Sequence, residues 1–217
     1  MKITYYLEVT SSWCFWAEPT WAELKRRYAG RAAFQWKTAL MKAEDFPTSH
    51  AQYDWFLRRS ASVLRSDFVP DSRYYEWPLP SGYPAASAVA EAARDLGVAG
   101  DEVRGALAQA AYREGRPVGR LDVAVEIAAR AGGLDAARLR ERAQSTEVAA
   151  RMQATTAEFF ALGVSQRPTF VLEDAIGDRA VFSGLVRLEP LAATIEAMLA
   201  DVAAYAEFGA RQPRPPA

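Results

Sequence analysis

Apolar and polar residues near the start of the chain follow two different periods. Residues 3–9 alternate and are rich in β-branched and aromatic side chains, which predicts a strand. After three small polar residues, apolar side chains recur at helical spacing at Phe15, Trp16, Trp21, Leu24 and Tyr28. Residues 31–40 are again typical of a strand. The pattern predicts a βαβ unit with parallel strands and a right-handed crossover.

Residues 41–83 lack a clear period, and we predict that they are irregular. Of the 25 aromatic residues in the chain, 18 lie at or before residue 83, and four prolines interrupt this stretch. Two interpretations remain open. The aromatic side chains cap the core under a long loop, or some of them line an apolar pocket for a flat or hydrophobic substrate.

Residues 84–163 are rich in Ala, Arg, Glu and Leu and have hardly any aromatic side chains, which predicts a helical insertion. Pro84 can begin the first helix, because proline suits the first helical turn. Four residues can cap further helices, namely Asp101, Asp122, Asp135 and Thr146.

The C-terminal part predicts a β-hairpin followed by a helix. Residues 168–173 and 179–183 are typical of strands on either side of a Gly-Asp turn, and residues 188–208 carry one apolar stripe at helical spacing. The βαβ unit thereby gains a ββα partner.

These segments predict two domains. Residues 1–83 and 164–208 form one domain, and residues 84–163 are inserted into it. Residues 209–217 cannot bury apolar surface, so we predict a disordered tail.

Charge and composition exclude several classes of partner. The 217-residue chain has 26 Lys and Arg against 27 Asp and Glu, a net charge of −1, so neither nucleic acid nor a membrane is an expected partner. One cysteine excludes an internal disulfide framework, and one histidine leaves no His/Cys cluster, so no metal site is expected. The first residues lack the features of a secretory signal, and we expect a cytoplasmic location.

Two segments resemble the DsbA-like thioredoxin-fold family. Ser11-Ser12-Trp13-Cys14 is similar to the family's Cys-x-x-Cys motif in its Cys-Ser-Trp-Cys form, with serine in place of the first cysteine. Residues 163–171, Gly-Val-Ser-Gln-Arg-Pro-Thr-Phe-Val, resemble its cis-proline segment, and residues 182–185 its closing unit. The resemblance implies an α/β thioredoxin-like fold with an all-helical insertion and a cis bond before Pro168.

The serine decides what chemistry the resemblance implies. A dithiol cycle needs a thiolate at the first position and a second thiol to resolve the mixed disulfide, so Ser11 cannot support it. Kappa-class glutathione transferases and 2-hydroxychromene-2-carboxylate isomerases of the same superfamily carry serine there, where its hydroxyl stabilises the glutathione thiolate. The resemblance thus implies glutathione as cofactor. It makes Ser11 and Cys14 the catalytic candidates, and Ser11, Ser12, Trp13, Arg167 and Pro168 the cofactor-binding candidates.

Two functions follow from the resemblance. The first is a glutathione-dependent isomerase or transferase acting on a small hydrophobic or aromatic substrate, with a homodimer left open. The second is a homologue without dithiol redox activity that binds a peptide or small molecule beside Pro168. Thiol chemistry through Cys14 alone is less favoured. A serine hydrolase is not expected, because His50 is the only histidine and there is no Gly-x-Ser-x-Gly motif.

Each candidate residue also has a simpler interpretation. Ser11 could be an N-cap only, and Cys14 an inert buried thiol. Arg167 could be a solvated charge or could bind a carboxylate of glutathione or substrate. Glu8 lies where thioredoxin-like enzymes often keep a proton-handling carboxylate, although a solvated strand end is an equal alternative.

Overall fold

The structure is a computed structural model that describes residues 1–76, 84–184 and 187–212. It confirms the α/β thioredoxin-like class, with a mixed sheet and an all-helical insertion. The strands are β1 (Lys2–Leu7), β2 (Ala33–Thr38), β3 (Thr169–Glu173) and β4 (Arg179–Ser183). The helices are α1 (Ser12–Arg27), α2 (His50–Leu64), α3 (Ala85–Asp95), α4 (Glu102–Tyr112), α5 (Leu121–Gly132), α6 (Ala136–Ala143), α7 (Thr146–Ala161) and α8 (Leu188–Arg211). A short 3-10 helix spans Ala43–Asp45.

The sheet has the order β2-β1-β3-β4, with β1 in its interior. β1 pairs in parallel with β2, and β3 pairs antiparallel with both β1 and β4. On β1, Tyr5 lies opposite Trp36 of β2 and Phe170 of β3, and its ring stacks on that of Phe170 at 4.7 Å. The Arg167-Pro168 peptide bond, just before β3, is cis.

The insertion is organised around α3. Every residue from 85 to 93 is buried, and α4, α5, α6 and α7 all contact this helix. Small alanine side chains permit this close approach on all sides. The insertion is joined to the sheet domain by α7 against β2 and by α4 against α1. At the second junction, Arg104 of α4 donates to Glu18 of α1 over 2.5 Å.

The prediction that residues 41–83 are irregular is wrong for α2. Ser49 caps this helix by accepting from the backbone N–H of Gln52 over 3.2 Å, and Arg65 ends it in the left-handed conformation. Tyr53 and Leu57 recur at helical spacing on its buried face. Because apolar Trp55 and Val63 are exposed while polar Ser60 is buried, apolar spacing does not mark the buried face in the sequence.

The predicted start of the tail is also wrong, since α8 continues to Arg211. Helix propagation adds one hydrogen bond per residue, so a packed helix can extend beyond its last buried side chain. Residues 213–217 lie outside the described part of the chain.

Two predicted caps are shifted by one or two residues. The N-cap of α5 is Arg120, with Asp122 in the first turn, and the N-cap of α7 is Ser145 instead of Thr146. Asp101 precedes α4 as predicted, but its carboxylate accepts from Trp21 and Arg104 side chains. Within the described ranges, none of the helices has the length and hydropathy needed to cross a membrane.

Candidate functional site

The turn between β1 and α1 places Ser11 at the start of the helix. Its backbone is extended (φ −93°, ψ 119°), and its Oγ accepts a hydrogen bond from the backbone N–H of Cys14 over 3.4 Å. The backbone N–H of Ser11 donates to the carbonyl of Glu8 over 3.0 Å. A hydroxyl can accept and donate at once, so the cap leaves the Ser11 proton able to bind an acceptor.

Ser11 borders a cavity of about 570 Å³. Four parts of the chain that are far apart in sequence form its walls: the turn at residues 10–13, the region from Met41 to Tyr75, residues 165–167, and Gly184. The sheet topology brings these segments together, because the chain before β3 returns beside the carboxyl end of β1. The cavity is large enough for a small organic ligand.

One wall of the cavity is aromatic. Six aromatic residues of the segment 41–76 line it, namely Phe46, Tyr53, Trp55, Phe56, Tyr74 and Tyr75. These residues line a cavity as the second interpretation requires, and its substrate stays a prediction. Phe68 packs instead on Phe15 in the core, with ring centroids 6.2 Å apart, as the first interpretation requires. Trp77 and Tyr83 lie outside the described residues.

Cys14 lies beneath the turn with only 3% of its surface exposed. Within the Ser11-Ser12-Trp13-Cys14 motif, the first three residues line the cavity and Cys14 does not. Burial disfavours the thiolate and raises the pKa of Cys14 to about 11, although the contact with Ser11 acts in the opposite direction. The thiol is therefore protonated near neutral pH.

Glu8 is not a solvated strand end, because it is 3% exposed. Its carboxyl accepts hydrogen bonds from Ser87 Oγ over 2.5 Å and from Thr10 Oγ1 over 3.4 Å. Burial nevertheless raises the pKa of Glu8 above its usual value. Ser87 was not predicted from the sequence, and its one signal is a hydroxyl within the buried alanine run of α3.

Arg167 is not a solvated charge either, since it is 7% exposed. Its Nε donates to the carbonyl of Ala39 over 2.5 Å, its Nη1 to Ser165 over 3.1 Å, and its Nη2 to Leu40. Asp45 lies 3.7 Å from Nη1. The guanidinium thus joins the segment after β2 to the segment before β3 and fixes one wall of the cavity.

The structure brings most of the predicted site residues together. Ser11, Ser12, Trp13 and Arg167 line one cavity, and Pro168 follows Arg167 in the chain, with its carbonyl accepting from the Gly184 N–H over 2.7 Å. His50 is exposed at the start of α2.

Sequence reasoning missed several polar residues of the cavity: Glu44, Asp45, Gln52, Arg59, Ser165 and Gln166. They lie in segments that only the tertiary fold brings to the turn. Ser165 and Gln166 could have been predicted, because they immediately precede the Arg167-Pro168 segment.

The family follows from comparison with known proteins. The family model of the DSBA-like thioredoxin domain matches residues 2–196. The chain belongs to this family. A search of curated protein sequences found no match.

Solved structures with similar folds include a reductase and an isomerase. The cytosolic disulfide reductase DsbM from Pseudomonas aeruginosa superposes with a TM-score of 0.72 at 19% identity, over 92% of this chain and 98% of that chain. A structure of DsbM with GSH gives the same score and identity over 92% and 99% of the two chains. A 2-hydroxychromene-2-carboxylate isomerase gives 0.64 at 15% identity, over 94% and 99%. At these identities the similarity shows the fold alone.

Proposed function

We propose that this member of the DSBA-like thioredoxin family is a glutathione-dependent isomerase or transferase in which Ser11 stabilises the glutathione thiolate. One observation carries the proposal. Ser11 Oγ accepts from the Cys14 N–H while bordering the cavity, which leaves its proton for a ligand sulfur. Ser11 acts as a hydrogen-bond donor and not as a nucleophile, because activation of a hydroxyl needs a neighbouring base.

The start of α1 adds to the effect of the hydroxyl. Backbone N–H groups in the first turn and the helix dipole both favour an anion at this position. A hydrogen bond to a charged group contributes about 1.5–3 kcal/mol, which corresponds to lowering the pKa of a bound thiol by about one to two pH units. That shift brings an ordinary thiol close to neutrality.

The cavity has room and lining for a second, organic substrate. Its aromatic wall suits a flat apolar molecule, and its polar residues can bind the peptide part of glutathione. Two structural neighbours support a site for glutathione and an organic substrate, since one was solved with GSH and another is an isomerase. We expect Arg167 to hold the cavity wall, because three of its five N–H donors already bind backbone carbonyls.

A redox-inactive binding protein is the second candidate. Cys14 is the only cysteine, and burial keeps its thiol protonated, so the turn has no dithiol chemistry. The same cavity would then hold a peptide or small molecule without turnover. Turnover with glutathione separates the two candidates.

The location and assembly of the protein remain proposals. We expect a cytoplasmic protein, because glutathione keeps thiols reduced in the cytosol and the DsbM neighbour is cytosolic. A homodimer stays a prediction that sedimentation analysis would test.

Glutathione binding is tested by quenching of Trp13, which lies partly exposed at the cavity. Glutathione should quench the fluorescence in a saturable manner, and the change should be smaller in a Trp13→Phe variant, in which Trp55 is the tryptophan left in the described lining. S-methylglutathione, which has no thiol proton to lose, is the matched control and should bind more weakly above neutral pH.

Turnover is measured with an activated aryl halide as the second substrate of a glutathione transferase. Saturable binding of glutathione without turnover would favour the redox-inactive binding protein. No binding at millimolar glutathione would refute the proposed role of glutathione as cofactor.

A further inference from the structure

Three buried tyrosines join their hydroxyl groups beside the cavity. Tyr53 of α2 contacts Tyr74 through the two hydroxyls, and Tyr74 Oη lies 3.1 Å from Tyr112 Oη of α4. Tyr74 also donates to the carbonyl of Thr10 over 3.3 Å. We call these three residues the tyrosine cluster. At most 5% of any of them is exposed.

The cluster has one proton more than its internal contacts use. Three phenol groups carry three protons, and the two hydroxyl-hydroxyl contacts take one proton each. The third proton must go to an acceptor outside the cluster. Without a ligand that acceptor is the carbonyl of Thr10.

The cluster is also close to the Ser11 turn. Tyr53 and Tyr74 line the same cavity as Ser11, and Thr10, the acceptor of the Tyr74 hydroxyl, immediately precedes Ser11. A ligand with one end at Ser11 therefore shares the cavity with these two tyrosines and with aromatic residues such as Phe46 and Phe56.

We propose that the hydroxyls of Tyr53 and Tyr74 form an oxygen-binding subsite, which donates a hydrogen bond to the phenolate or carbonyl oxygen of an aromatic ligand in the cavity. The inference deepens the proposed function by naming the substrate class, an aromatic molecule with such an oxygen. Its test needs no glutathione.

A ligand oxygen can displace the contact with Thr10. At 3.3 Å that bond is longer than the 2.7–2.8 Å usual for O–H···O bonds. A phenolate oxygen is a better acceptor than a neutral carbonyl because the hydrogen bond becomes charge-assisted. The donors remain protonated, since burial raises the pKa of Tyr53 to about 12 and raises that of Tyr74 well above its ordinary value.

The probe is 4-nitrophenol, whose absorbance distinguishes phenol from phenolate. The wild-type protein should bind the phenolate and lower the apparent pKa of the bound probe. The double replacement Tyr53→Phe with Tyr74→Phe removes both hydroxyls and should weaken phenolate binding by about tenfold or more. Tyr112→Phe, which leaves both of those hydroxyls in place, should have a smaller effect.

Tyr28→Phe is the matched control. Tyr28 is fully buried and its hydroxyl also donates to a backbone carbonyl, that of Ala192, over 3.3 Å, but it lies outside the cavity lining. This variant should bind the probe like the wild type. Near-ultraviolet circular dichroism checks the folding of each variant. If the double variant does not fold, the two single replacements take its place, and one of them must weaken binding at least about threefold.

Three results would overturn the subsite: no saturable binding of 4-nitrophenolate by the wild type, unchanged binding by the folded tyrosine variants, or equal weakening in Tyr28→Phe. Failure of glutathione binding is a separate result. It would overturn the proposed thiolate role and leave the phenolate titration unaffected.

Discussion

The two faces of the Ser11-Cys14 turn differ in what they can do. Ser11 and Trp13 face a cavity of about 570 Å³, whereas Cys14 faces an interior that also buries Glu8. Three positions along the start of a helix are enough to separate a serine that lines the cavity from a thiol held in a low dielectric. The difference supports our proposal that the turn acts through hydrogen bonds at the cavity and not through sulfur chemistry in the interior.

The largest expected effect on stability concerns Arg167, which fixes one wall of the cavity. Arg167→Met should lower the free energy of unfolding by about 3 kcal/mol or more, because three backbone carbonyls lose a charged donor. Urea denaturation measures the change. Arg58→Met is the control, since Arg58 is exposed and only 3.8 Å from Asp54 across one helical turn, and it should cost less than about 0.5 kcal/mol. Equal losses in the two variants would mean that Arg167 does not fix the wall.

The interior face is tested by alkylation of Cys14. With its pKa raised to about 11, the thiol should react with iodoacetamide at neutral pH at least about 100-fold more slowly than in the urea-unfolded chain. The rate should increase as pH rises towards 11, because more thiolate is then present. Labelling reports on this residue alone, as it is the only cysteine. Equally fast labelling of the folded and unfolded chains would place the thiol on the cavity face.

Ser87→Ala tests Glu8, which is buried with Cys14 on the interior face of the turn. Removal of the hydroxyl that donates to Glu8 should lower the free energy of unfolding by about 2 kcal/mol. The pKa of Glu8 is raised by burial, and loss of Ser87 raises it further, so the loss of stability should grow as pH rises above the ordinary carboxyl range. Denaturant titrations at several pH values measure this. Ser62→Ala, at an exposed position of α2, should show neither effect, and a pH-independent loss in Ser87→Ala would argue against the link to Glu8.

The sequence predicted those parts of the fold that local periodicity determines. The βαβ unit follows from apolar spacing, the hairpin from two strand-like segments around a Gly-Asp turn, and the helical insertion from its composition and capping residues. The motif at Ser11 indicated where the cavity would lie. α2 was missed because two of its apolar residues, Trp55 and Val63, are exposed and polar Ser60 is buried, so apolar spacing does not mark its buried face.

Contacts between distant segments could not be read from local patterns. Glu8 and Ser87 are 79 positions apart, and Arg167 reaches carbonyls 127 and 128 positions away. Only the packing of the insertion and the sheet decides that these groups are buried together. The tyrosine cluster likewise joins α2 and α4 through Tyr74.

The central claim is that the Ser11 hydroxyl stabilises a ligand thiolate, and a titration of protein-bound glutathione tests it directly. Thiolate absorbance in the ultraviolet is followed against pH for the wild type, for Ser11→Ala and for Ser145→Ala. Ser145 is also a serine N-cap, accepting from the Val148 N–H over 3.3 Å, so it controls for the loss of a cap alone. We predict that the bound thiol titrates about one to two pH units higher in Ser11→Ala and unchanged in Ser145→Ala. Titration of Ser11→Ala at the wild-type pH would contradict the account.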